Sequence, residues 1–157
     1  MRFDRFFPAP ASAPRRSSLG RALLAGAGAA TAGAVAWAVI SYLTSHQFSL
    51  LAILVGVAVG YAVRRFRPGD AAAAAGAAAE ALLGCALGTF LALVLVALGA
   101  GAGPGTILRH LNIIVNAYPG SVGALGVVFW LIAAAIGFRL AMSGPPGRAG
   151  RQGRPRA

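Results

Sequence analysis

Acidic side chains are nearly missing from this chain, and lysine is missing altogether. Asp4, Asp70 and Glu80 are the only carboxylate side chains in 157 residues, set against 14 arginines. The shortage excludes chemistry that works through paired carboxylates. Only two histidines, His46 and His110, are present, far apart and with no acidic cluster near them, so no spacing suits a metal ion. One cysteine, Cys85, rules out a disulfide within the chain, and its apolar setting reads as a small buried thiol. No glycine-rich phosphate loop and no nucleophile elbow appears, so the chain reads as non-enzymatic and without a cofactor. Charged residues make up 11% of it, where a soluble domain carries about 25%. With 58% hydrophobic residues and a mean hydropathy of +0.75, a globule facing water on every side is excluded.

What is present is long apolar sequence. A helix that crosses a bilayer needs about 20 mainly apolar residues, and four stretches qualify, over about 22–43, 48–65, 76–99 and 121–141. The second is short, but Tyr61 and the Arg64-Arg65 pair can extend it by snorkelling. The first has a basic lead like that of a signal peptide, yet its apolar run continues through Leu43, well beyond an ordinary signal core. With four spans, every arginine except Arg109 falls on one side. Short Arg-rich segments stay in the cytoplasm, which puts both termini and the 64–70 loop inside. The expected fold is all-α: a transmembrane four-helix bundle over 21–143, between disordered basic tails at 1–20 and 144–157. Abundant Ala, Gly and Pro beside absent Lys suggest a GC-rich bacterial genome, hence the bacterial cytoplasmic (inner) membrane. The arginines form no patch interleaved with aromatics, so nucleic acid is not an expected partner. Anionic headgroups at the tails are, and a protein partner or a second copy of the chain is a further candidate.

The loop over 100–120 has structure of its own. Pro104 and Pro119 bracket a run in which Ile107, Leu108, Leu111, Ile114, Val115 and Tyr118 recur at helical spacing. Arg109, Asn112 and Asn116 fall on the opposite face and form a candidate outer partner face. Thr106 is the expected N-cap. The segment predicts a short amphipathic helix on the outer membrane surface or capping the bundle. Tyr42 and Tyr118 read as outer-boundary anchors and Tyr61 as an inner one, while Trp37 and Trp130 read as packing bulk.

Small residues mark the helix contacts. Gly56 and Gly60 are four apart in the second span, and Gly84 and Gly88 four apart in the third. That spacing lets backbones approach closely in lipid. The stripes continue into charge, at Arg64 in one and Glu80 in the other. If Gly60 packs near Gly84, Arg64 meets Glu80 as a candidate ion pair. If a tight turn at Pro68-Gly69 sets the register instead, Gly60 lies opposite Gly76 and Glu80 sits deeper, near Gly56. Glu80 is the only acid inside or beside a span, where an unpaired charge is expensive.

Residues 52–65, Ala-Ile-Leu-Val-Gly-Val-Ala-Val-Gly-Tyr-Ala-Val-Arg-Arg, resemble the second span of a group of small uncharacterised bacterial multi-span membrane proteins. In that group the span ends in a similar G-x-x-x-G-[YF]-A-V-R run, after a first span and a very short turn. Residues 22–65 match the arrangement, and the Ala-rich third span departs from it. The resemblance implies topology and no activity. The four-span size is also similar to that of small multidrug transporters, but those carry a membrane-embedded glutamate in the first span, and this first span has no acid. Two functional readings follow: a structural or interaction subunit of the membrane, or a small transporter or channel component that uses Glu80.

Overall fold

The structure, a computed structural model, describes residues 18–44 and 50–144. The basic tails expected over 1–20 and 144–157 lie outside the described residues except for 18–20 and Gly144, and so does the turn that holds His46. All regular elements among the described residues are helices: α1 Leu19–Thr44, α2 Leu51–Phe66, α3 Ala71–Gly99, α4 Pro104–Arg109 and α5 Leu111–Met142.

Composition and caps explain the boundaries. Alanine and leucine lose least on entering a helix, and they dominate α1 and α3. The Ala-rich lead before the expected third span is helical from Ala71 because Asp70 caps it, its Oδ1 accepting the Ala73 N–H at 2.9 Å. The turn that precedes this cap passes through Gly69 at φ 74, a conformation that suits glycine. Along the axis, at about 1.5 Å per residue, the 29 residues of α3 cover about 43 Å and the 16 of α2 about 24 Å. A hydrocarbon layer is about 30 Å thick. Three helices, α1, α3 and α5, are long and apolar enough to cross it. The second expected span, from about Phe48, starts at Leu51 as α2 and falls short of the other three.

The shortest of the long elements is nevertheless the most enclosed. α2 and α3 lie side by side, α1 packs on both from one flank, and α5 packs on both from the other. Val55, Val59 and Val63 of α2 meet Ala22, Ala30 and Trp37 of α1, Ala73, Ala77 and Cys85 of α3, and Ala133 and Ala141 of α5. At one end the Gly69 N–H donates to the Ala141 carbonyl at 3.0 Å, which ties the α2–α3 turn to the end of α5. At the other end the Tyr42 ring lies over Gly99.

The expected outer amphipathic helix is not present as one piece. α4 starts at Pro104 with Gly103 as its N-cap, not Thr106, and ends at His110 (φ −117, ψ 29). The His110 ring takes part in that ending, its Nδ1–H donating to the Thr106 carbonyl at 2.9 Å. α5 then carries the rest. Ile107 and Ile114 are buried and Tyr118 half-buried, whereas Leu108, Leu111 and Val115 are exposed.

α5 itself bends. Gly123 sits at φ 60, ψ 172, outside helical space, and Pro119 four residues earlier removes a backbone donor. In an unbroken helix Tyr118 and Trp130 would stand about 18 Å apart along the axis. Their ring centroids are 6.3 Å apart. The first part of α5 therefore turns back beside α3, where the Tyr118 hydroxyl donates to the Ala86 carbonyl at 3.0 Å. Ala86 lies at the middle of α3, so Tyr118 does not take the boundary position its sequence context suggests.

Candidate functional site

The two glycine stripes face different neighbours. A methyl on Gly56 would collide with the Ala133 backbone, and one on Gly60 would lie 2.7 Å from the Gly137 oxygen. The α2 stripe thus receives α5. A methyl on Gly84 would lie 3.2 Å from Ala30 Cβ, and one on Gly88 3.3 Å from Ala34 Cα and from Trp37 Cβ. The α3 stripe receives α1. The partner stripes are Ala22, Gly26, Ala30 and Ala34 in α1 and Ala133, Gly137 and Ala141 in α5, all buried. Four-residue spacing of small side chains is legible in both of these stripes too.

Where α2 and α3 meet, Val55 lies against Gly84: a methyl there would be 3.0 Å from Val55 Cγ1. Pairing Gly60 with Gly84 would put Val55 more than a turn out of place. With Gly60 opposite Gly76 it would instead face Ala81, so the contact falls between the two expected registers.

This register and the stripe on α1 decide the surroundings of Glu80. Its carboxyl lies over Gly26, where any Cβ would strike it, and beside Val63. Oε2 is buried and has no hydrogen-bond partner. Among the described residues the one ion pair is Arg67 Nη2 to Asp70 Oδ2, at 2.6 Å. Arg64 instead donates from Nη2 to the Gly144 carbonyl at 3.5 Å. Arg64 and Glu80 are therefore not brought together, because the α3 face that carries Glu80 turns toward α1.

Glu80 opens onto a cleft of about 200 Å³ lined by Ala27, Ala30 and Thr31 of α1 and Leu83, Gly84 and Leu87 of α3. Leu83 and Leu87 also border a groove of about 410 Å³, with Ala86 and Phe90 of α3 and Val115 and Tyr118 of α5. The two spaces share a wall along α3. The Thr31 hydroxyl on the rim is spent on the Ala27 carbonyl at 2.9 Å. Sequence reasoning singles out Glu80 and misses this groove, since Val115 and Tyr118 reach it only through the bend at Gly123.

Charge is segregated along the bundle. Arg21, Arg64, Arg65, Arg67 and Arg139 gather at the end where Gly69 meets Ala141, and Arg109 stands near the opposite end. Arg21, Arg65 and Arg139 are exposed. Asp70 belongs to the arginine-rich end. The Ala73 N–H and then the Arg67 guanidinium hold its carboxyl below the ordinary value, against partial desolvation. Arg109, Asn112 and Asn116 are all exposed, but the break at His110 leaves Arg109 on α4 and the asparagines on α5. Neither a protein-family model, nor a curated protein, nor a solved structure matches the chain.

Proposed function

We propose that this chain is a four-span protein of a bacterial cytoplasmic membrane, both ends inside, acting as a non-enzymatic structural or interaction subunit. The observation that carries the reading is the gathering of five arginines at one end of an otherwise apolar bundle. Helix α2 crosses as the fourth span in this reading. Its 16 residues are short, but α1, α3 and α5 all pack on it, and its arginines reach the interface. The resemblance of residues 52–65 to a second span points the same way. Anionic headgroups meet the arginine-rich end. The outer end offers a partner Arg109, Asn112 and Asn116.

Topology and partnership are tested separately. A reporter active only in the cytoplasm works at residue 157 and fails at residue 46; the reverse result rejects the orientation. A photocrosslinker at Asn112 in native membranes yields one protein adduct that disappears with Arg109→Glu, while the same group at Leu131 yields lipid adducts. Lipid adducts alone at both positions reject the interaction reading.

One observation favours a second reading, a small transporter or channel component that uses Glu80. Discontinuous helices at mid-membrane depth are common in transporters, and the break of α5 at Gly123 brings Tyr118 back beside the middle of α3. Glu80→Gln then abolishes pH-dependent flux in reconstituted vesicles. Absence of flux in both forms rejects this reading.

A further inference from the structure

We infer that the cleft at Glu80 and the adjoining groove form one binding site for a cationic amphiphile, an alkyl quaternary ammonium ion with its head at the carboxylate and its tail along α3. Three separate observations converge on it. Glu80 Oε2 is buried without a partner, whereas buried polar atoms are normally satisfied. The cleft onto which it opens is walled by alanine, glycine, leucine and one threonine, with no basic side chain in its lining. The apolar groove beyond it is reached along Leu83 and Leu87, which line both spaces.

The chemistry of the walls selects the ligand class. The carboxylate disfavours an anionic head. A divalent metal ion takes six or more oxygen ligands, and the side chains of this cleft offer one carboxyl group and one threonine hydroxyl. An ammonium that carries its own hydrogens must place three donors where the side chains of the walls offer only the Glu80 carboxyl and the Thr31 oxygen as acceptors. A quaternary head needs only charge and close apolar contact, which Glu80, Ala27 and Ala30 give. From Glu80 to Phe90 the path along α3 is about 15 Å, within reach of a twelve-carbon tail. Glu80 has Gly26 of α1 and Val63 of α2 beside it, and the one ion pair among the described residues, Arg67 to Asp70, does not involve it. The site requires that α1, α3 and α5 be surrounded by lipid. It does not depend on the four-span count or on transport.

The test uses the full chain in lipid nanodiscs with two photoreactive probes that share one diazirine-bearing twelve-carbon tail. One ends in trimethylammonium and the other in a neutral hydroxyl. The expected result is labelling by the ammonium at Leu83, Leu87 or Phe90, competed by unlabelled dodecyltrimethylammonium, with the alcohol labelling those residues at least about tenfold less. Loss of a desolvated charge partner weakens binding by about thirtyfold or more, so Glu80→Gln brings the ammonium down to the alcohol's level. Thr31→Leu, which fills the rim and keeps the carboxyl, lowers ammonium labelling too and keeps the test decisive if Glu80→Gln does not fold. Equal labelling by both probes, or labelling by neither within the groove, overturns the proposal.

Discussion

Replacing Gly56 with alanine should loosen the whole α2–α5 contact. The added methyl would lie 2.8 Å from both the Cα and the carbonyl carbon of Ala133, and closer still to its oxygen. Comfortable carbon–carbon contact begins near 3.5 Å, so the helices must part by roughly 0.7 Å or more. Overpacking of this kind costs about 1–3 kcal/mol. Exchanging glycine for alanine inside a helix returns about 0.5–1 kcal/mol. The balance is a loss of up to about 2.5 kcal/mol. Gly28, on the exposed side of α1, is the internal control, because a methyl there would meet nothing within 4 Å. Gly28→Ala should therefore gain about 0.5–1 kcal/mol. Reversible unfolding in mixed micelles, followed by far-ultraviolet circular dichroism, compares the two. Adding Gly60→Ala to Gly56→Ala should cost less than Gly60→Ala alone, since the first change has already separated the backbones. If Gly56→Ala proves as stable as Gly28→Ala, the close approach of α2 and α5 is wrong.

Three further outcomes are expected. Asp70→Asn keeps a capping side chain and removes the charge. Because the folded-state pKa of Asp70 is lowered from 3.8, its ionised form adds stability above that value and loses it as the pH falls through the lower one. The unfolding midpoints of wild type and Asp70→Asn should therefore differ at neutral pH and converge in acid. Gly123→Ala forces a side chain into backbone space that only glycine occupies comfortably, at a loss of about 1–3 kcal/mol in the same micelle assay; no loss would mean that α5 is straight there. Tyr118→Phe removes the hydroxyl bond to Ala86 and should cost about 0.5–1.5 kcal/mol, read as a lower unfolding midpoint with unchanged helix content.

Much of this architecture is legible in the sequence because lipid and backbone hydrogen bonding leave few options. Apolar run length marks α1, α3 and the second part of α5, and four-residue spacing marks Gly56, Gly60, Gly84 and Gly88 as contact positions. Which stripe meets which is not legible. Gly56 and Gly84 look alike in sequence, and their assignment to α5 and α1 depends on how four helices share two central faces. The outer segment shows a different limit. Its apolar periodicity runs from Ile107 to Tyr118, but the backbone breaks at His110, a residue with no strong bias against helix. Pro119 signals a break nearby, while the actual departure falls at Gly123, one of 22 glycines. The setting of Glu80 follows from these hidden choices: once α3 turns its small face to α1, the carboxyl must go with it.

The side-by-side placement of α2 and α3, with α1 and α5 kept on opposite flanks, also bears on biosynthesis. The first three long helices can assemble while the ribosome is still making the last, leaving the Gly56 and Gly60 face as an open berth. The final helix then docks laterally instead of threading, and a fault in it need not unravel the earlier trio.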